Sequence, residues 1–281
     1  MRVFRKSIYK SPAELRAMRA AGLATAAALA EARRLLRVGA TPLELDAAAN
    51  RVITELGGRS NFQLVPGYRH TLCVSVDHEV VHGIPGDRPF GPGDIVSVDG
   101  GAEVDGWNGD SAFTLVLPDP ARPALVAARE ELARVTDHAL WTGVAALASA
   151  SHLNEVGAAI EDAVRAEERE GRRYGILTDY VGHGIGRTMH EEPPVFNYRV
   201  DRRGPAVKPG LVVAIEPMIV AGSIETDVLD DDWTVVTVDG ADAAHVEHSV
   251  AVHEGGIWVL TAEDGGAAAL EPYGVVPVPI P

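Results

Sequence analysis

The sequence predicts an α+β fold: a central antiparallel sheet with helices on one side, built from two related halves. Three observations predict it. The stretch Pro92-Gly93-Asp94-Ile95-Val96-Ser97-Val98-Asp99 is written a second time as Pro209-Gly210-Leu211-Val212-Val213-Ala214-Ile215-Glu216. Each copy is a turn, an apolar run and a terminal carboxylate. Upstream of each stands a His-Gly-Ile, at His82-Gly83-Ile84 and again at His183-Gly184-Ile185. Each copy also follows a pair of helical segments. The copies are unevenly spaced, so the repeat is a divergent duplication, and two units are too few for a solenoid.

In chain order, Ser11-Pro12-Ala13-Glu14 opens a helix, with a Ser cap, Pro at the first helical position and Glu three after the cap. It should run to about Arg37, before Gly39. Thr41-Pro42-Leu43-Glu44 repeats the signal, and a second helix should end near Leu56. Pro66-Gly67-Tyr68 marks a turn. Cys73 to Val81 is β-like with a hairpin turn at Asp77-His78-Glu79. Asp94 to Asp99 and Ser111 to Leu117 read as strands, joined across the Gly-rich segment Gly100 to Gly109. Pro118-Asp119-Pro120 is the break between halves, placed at about 11–118 and 121–261 of a single catalytic domain spanning 1–281. Helices are expected from Ala121 to Ala148 and from Asn154 to Glu170. Further β-structure is expected near Tyr180, and strands at Leu211–Glu216, Thr234–Val238, His245–Val252 and Ile257–Leu260. Residues 265–281, rich in proline, read as an extended tail.

Composition narrows the function. The 281 residues carry 40 acids against 25 bases, a net charge of −15, which argues against nucleic acid as a partner. One cysteine, Cys73, excludes an internal disulfide and any thiolate cluster. No apolar signal region follows the basic start Met1-Arg2-Val3-Phe4-Arg5-Lys6. The apolar run Ala20 to Ala30 is too short to cross a bilayer. A soluble cytoplasmic protein, monomeric and without a membrane partner, is the expectation.

Asp99, Asp110, Glu216 and Glu247 each lie within or beside a strand expected to be buried. Buried unpaired carboxylates cost several kcal/mol each, and no Arg or Lys lies near them in sequence. Two divalent cations would balance four negative charges. Carboxylates with histidine and no sulfur suit Mn, Fe(II) or Co(II), with Zn possible. His183, in Val181-Gly182-His183-Gly184-Ile185-Gly186, is the histidine placed on the metal, because its glycines allow close approach. His82 and His190 are placed beside the metals or facing substrate. His70, His78, His152, His245, His248 and His253 read as ordinary surface or core histidines.

With Gly-His-Gly-Ile-Gly at 182–186, His-Glu-Glu-Pro at 190–193, Ile-Glu-Pro-Met at 215–218, Glu-His at 247–248, His-Gly-Ile-Pro at 82–85 and the Asp99/Asp110 pair, the chain resembles the type I methionine aminopeptidases from about Ser11 to Leu260. The resemblance implies the pita-bread fold and a dinuclear site ligated by Asp99, Asp110, His183, Glu216 and Glu247. It implies release of the initiator methionine from nascent chains with a small second residue, close to the ribosome, through a hydroxide bridging the metals. Glu216 is then the proton shuttle, His190 stabilises the oxyanion and His82 holds the scissile amide nitrogen. Aligned on the family, the methionine pocket includes Tyr68, Cys73, Met189 and Trp233. Leu64-Val65-Pro66-Gly67-Tyr68-Arg69-His70 departs from the family's usual loop, and Met189 stands where an aromatic is common; a thioether can repack around a methionine side chain. The rival readings are a proline-specific aminopeptidase or prolidase of the same fold, which usually carries a large extra N-terminal domain, and a non-catalytic peptide-binding relative.

Overall fold

The fold is a curled nine-stranded antiparallel sheet whose outer face carries four long helices and whose inner face carries the acids. The computed structural model describes residues 7–169 and 173–281. The basic start at 1–6 and Glu170, the expected end of the fourth helix, lie outside the described residues.

Ser11 caps α1 (Pro12–Leu35): its hydroxyl accepts the Glu14 N–H, and the Glu14 carboxylate accepts the Ser11 N–H. Thr41 and Glu44 do the same for α2 (Pro42–Glu55). Both starts fall where the capping boxes place them. Leu15, Met18, Ala21, Ala24, Ala28 and Ala32 form the buried stripe of α1, spaced three and four apart. The chain then makes β1 (Arg59–Ser60), β2 (Leu72–Val76) and β3 (Glu79–Val81), followed by β4 (Ile95–Val104) and β5 (Trp107–Val116). The turn expected at 77–79 is present, with Asp77 at φ 58°, and it redirects the chain so that β3 pairs in a smaller sheet.

The connection expected between the two strands folds differently. Gly100 to Gly109 is not a connecting loop. The β4–β5 ladder is continuous from Ile95↔Val116 to Val104↔Trp107, closed by Asp105-Gly106, both at positive φ (52° and 77°) as a two-residue hairpin turn requires. The glycines lie inside the strands because neighbours crowd them. A Cβ at Gly109 would stand 2.8 Å from the Cα and N of Gly22 on α1, and one at Gly100 would run into the Leu72 side chain.

Past Asp119, whose carboxylate accepts the Ala121 N–H, come α3 (Pro123–Leu147) and α4 (Asn154–Glu167). The second half adds β6 (Gly175–Ile176), β7 (Gly182–Gly184), β8 (Glu191–Val195), β9 (Val212–Ile215), β10 (Met218–Val220) and β11 (Thr226–Val228). It closes with β12 (Val235–Thr237), β13 (Ala243–His245), β14 (Glu247–His253), β15 (Gly256–Val259) and a short α5 (Ala267–Leu270). The tail is thus not extended throughout: α5 and a 3-10 turn at Glu271–Tyr273 precede its extended end. Among the described residues no helix is long and apolar enough to cross a membrane.

The main sheet runs β1-β4-β5-β14-β9-β7-β8, with β2 on β4 and β15 on β14. Gly93 and Gly210, the second residues of the two Pro-Gly copies, sit at φ 85° and 97°, so both strands are entered through the same kind of turn. Val96, Val98 and Phe113 pack under α1 and α2, while Val213 and Ile215 pack under α3 and α4. The opposite face is left for the acids.

Candidate metal centre

Side chains alternate across a strand, so register decides which residues share a face. Asp99 lies opposite Ala112, and Ala112 lies opposite Glu247; Asp110 is two residues before Ala112 on the same side. His248 pairs with Ile215, so the next step sets Glu247 beside Glu216. Gly184 pairs with Val213, which sets His183 on the same face as Ala214 and Glu216. Five residues from both halves therefore meet on the face without helices.

Asp110, His183 and Glu247 each offer a ligand atom within 4.8 Å of the others. His183 Nε2 lies 3.4 Å from Glu216 Oε1. The imidazole is oriented by its Nδ1–H, which donates to the Gly184 carbonyl at 3.0 Å and leaves Nε2 with a free lone pair. Gly182 and Gly184 let the strand approach: Cβ atoms there would run into the Ala214 and Glu192 carbonyls. Asp110 and Glu247 are buried, while Asp99 and Glu216 keep part of their surface open to a pocket of about 630 Å³. Burial is the main cause that raises all four carboxyl pKa values, and mutual repulsion adds to it for Asp99, Glu216 and Glu247; Asp110 is pushed up to about 7. Asp99 Oδ1, Asp110 Oδ1 and Glu247 Oε1 are buried without a hydrogen-bond partner, and no Arg or Lys pairs with any of the four acids among the described residues.

His82 and His190 line the same pocket, the latter with its ring 4.4 Å from that of His183. Burial lowers the pKa of both, so each is a neutral imidazole near neutrality. His82 holds φ 61°, a left-handed conformation uncommon outside glycine. His190 is held by its turn. Glu191 accepts the Arg187 and Thr188 N–H groups, and its other oxygen takes the Lys10 ammonium at 2.7 Å.

The metallopeptidase family M24 model matches residues 16–254. The chain belongs to this family. Methionine aminopeptidase 1 of Mycobacterium tuberculosis is 45% identical over 90% of this chain and 94% of its own. Its namesake in Bacillus subtilis is 39% identical over 90% and 98%. The crystal structure of methionine aminopeptidase from Thermotoga maritima superposes with a TM-score of 0.83 at 36% identity, covering 91% of this chain and 99% of that one. Prolidase from Pyrococcus furiosus, at 20% identity and TM-score 0.69, shares the pita-bread fold.

A metal-dependent family fits these residues: hard oxygen donors, one imidazole and orphaned buried carboxylate oxygens are what a divalent cation satisfies. The residues expected to line a methionine pocket also come together. Tyr68, Cys73, Met189 and Trp233 form one apolar cluster with Phe62 and Val65. Tyr68 and Trp233 meet edge to face at 4.9 Å; the Tyr68 hydroxyl donates to the Leu72 carbonyl at 2.6 Å and Cys73 Sγ donates to that hydroxyl at 3.2 Å. Asp231 fixes Trp233 by accepting the N–H groups of Trp233 and Thr234.

Sequence reasoning passed over one histidine of this site. His245 is buried, lines the pocket and sets its Nε2, which has no hydrogen-bond partner, 3.7 Å from Glu216 Oε2. Burial, with His82 adding, lowers its pKa to about 3. Its position two residues before Glu247 is the signal that alternation offers.

Proposed function

We propose that this M24 protein is a methionyl aminopeptidase that removes the initiator methionine from chains whose second residue is small. The observation that carries this reading is the joint placement of five metal-type donors and an apolar, thioether-lined pocket in one cavity. Asp99, Asp110, His183, Glu216 and Glu247 would hold two divalent cations of the Mn, Fe(II), Co(II) or Zn type, matching two double charges to four carboxylates. When bound, such cations supply Lewis acidity and make water a nucleophile at neutral pH.

The remaining chemistry is assigned to side chains. The substrate methionine enters between Tyr68, Cys73, Met189 and Trp233. His190, a neutral donor at the wall, gives a hydrogen bond to the carbonyl oxygen as water adds and charge develops there. His82 accepts the scissile N–H and aligns the bond. Glu216 takes the proton from the attacking water and returns it to the leaving amine as the C–N bond breaks. The donor set is completed within one chain, so a single chain suffices as a catalytic unit, and substrates of this class would place a monomeric enzyme in the cytoplasm near the ribosome.

The metal-free protein is loaded with Mn, Fe(II) or Co(II) and offered Met-Ala-Ser, Met-Lys-Ser and Ala-Pro-Ser. Methionine release from the first alone supports the proposal; cleavage only of the proline peptide would sink it.

A further inference from the structure

In β8 the side chains of Glu192 and Pro194 are exposed while Pro193 and Val195 are buried. Glu192 and Pro194 line the catalytic pocket, and the same two residues form the near edge of a second cavity of about 1190 Å³. The two cavities therefore share a sill, and the second is a trough beside the first. Beyond the sill the walls are apolar at Leu153 and Phe196, and the far rim carries Asp201, Arg202 and Arg203.

The far rim is held in place. The Leu153 and Asn154 N–H groups donate to the Pro205 and Arg203 carbonyls at 3.1 and 3.2 Å, and Asn154 Nδ2 donates to the Val200 carbonyl. Arg199, three residues earlier, is committed to Asp162 at 2.7 and 2.8 Å. Arg202 and Arg203 are exposed and have no acidic partner among the described residues. The two arginines are adjacent on one pinned loop, in a chain of net charge −15.

We propose that this trough receives the downstream part of the peptide substrate and that Arg202 and Arg203 favour acidic side chains there. The inference rests on the aminopeptidase reading. A substrate trimmed at its first bond must send the rest of its chain out of the pocket, and the shared sill continues the pocket into the trough. An extended peptide advances roughly 3.3–3.6 Å per residue, so successive side chains pass Glu192 first and the arginines later. Glu192 disfavours an acid close to the scissile bond; the arginines attract one farther on. The protein's overall negative field acts the other way and draws basic peptides.

The test compares Met-Ala-Ser-Gly-Glu-Glu with Met-Ala-Ser-Gly-Lys-Lys on the metal-loaded enzyme, with Met-Ala-Ser as the activity control. The expected result is a kcat/KM ratio about three- to tenfold in favour of the glutamate peptide, expressed in KM and shrinking at high salt. In the Arg202→Ser/Arg203→Ser variant, with its melting temperature measured to confirm folding, the ratio should reverse toward the lysine peptide. Equal ratios in the native enzyme, or a glutamate preference that survives the double substitution, overturn the proposal. No methionine release from the tripeptide removes the aminopeptidase reading, and this inference with it.

Discussion

Lys10 offers the clearest test of how the turn bearing His190 is held. Its side chain is 6% exposed and its ammonium lies 2.7 Å from Glu191, which is itself 20% exposed. Lys10→Met keeps the volume and removes the charge. Breaking a fully buried pair this way costs about 3–5 kcal/mol, because the partner charge stays behind. Glu191 retains two backbone N–H donors and some contact with water, so the expected loss is about 1.5–3 kcal/mol, or roughly 3–10 °C in melting temperature. The pH dependence follows from Glu191. Burial pushes its carboxyl up, but the Lys10 hydrogen bond and charge outweigh this and hold it below the usual range. A depressed carboxyl contributes stability that is complete above its unfolded value, about 4.3, and is lost as pH falls through the folded one. The difference between native protein and variant should therefore be largest at pH 7 and shrink toward pH 4. Urea unfolding at both pH values, with chelator present throughout, measures it. Adding Glu191→Gln to the variant should recover most of the loss. A difference of equal size at pH 7 and pH 4 would refute the reasoning, since only a packing defect ignores the charge on Glu191.

Three further outcomes are expected. Gly109→Ala forces a methyl against the backbone of Gly22, and α1 must lift from the strand that carries Asp110; a loss of about 3 kcal/mol in thermal unfolding, with weakened metal binding by calorimetry, is expected. Stripping metal with a chelator should abolish turnover and lower the melting temperature, and restoring it at 100 times its Kd should return about 2.7 kcal/mol; an unchanged melting temperature would show that the four acids are compensated another way. His245→Phe removes the imidazole 3.7 Å from Glu216 and should lower kcat by about tenfold or more with little change in KM, read beside metal content so that loss of ions is separated from loss of proton handling.

Much of this molecule was legible in its residues, and for identifiable reasons. The capping boxes at Ser11 and Thr41 signal helices locally, and both helices start there. The acids stood out because an apolar run ending in a carboxylate conflicts with burial unless something compensates it. Other features were hidden because long-range packing decides them. Gly100, Gly101 and Gly109 look like a loop, yet they are strand residues under close neighbours. Pro193 and Pro194 argue against a strand, but β8 is the last strand of the main sheet's path, where an edge needs no N–H from proline. Phe62 reaches the pocket from a single 3-10 turn, Phe62–Leu64, which carries no periodic signal, and Val65 follows it directly. His245 sits where β13 gives way to β14, and only alternation with Glu247 marks it.

The row of register that joins Asp99, Ala112, Glu247 and Glu216 also sets an order of events in synthesis. Asp110 and Ser249 exchange hydrogen bonds although 139 residues separate them along the chain. A chain emerging from its N-terminus can fold α1, α2 and the β4–β5 hairpin early, since those contacts are local in sequence. It cannot assemble the donor set until β14 has emerged and zipped between β5 and β9. An incomplete chain that ends before β14 therefore lacks Glu247, the residue whose strand joins the acids of the two halves.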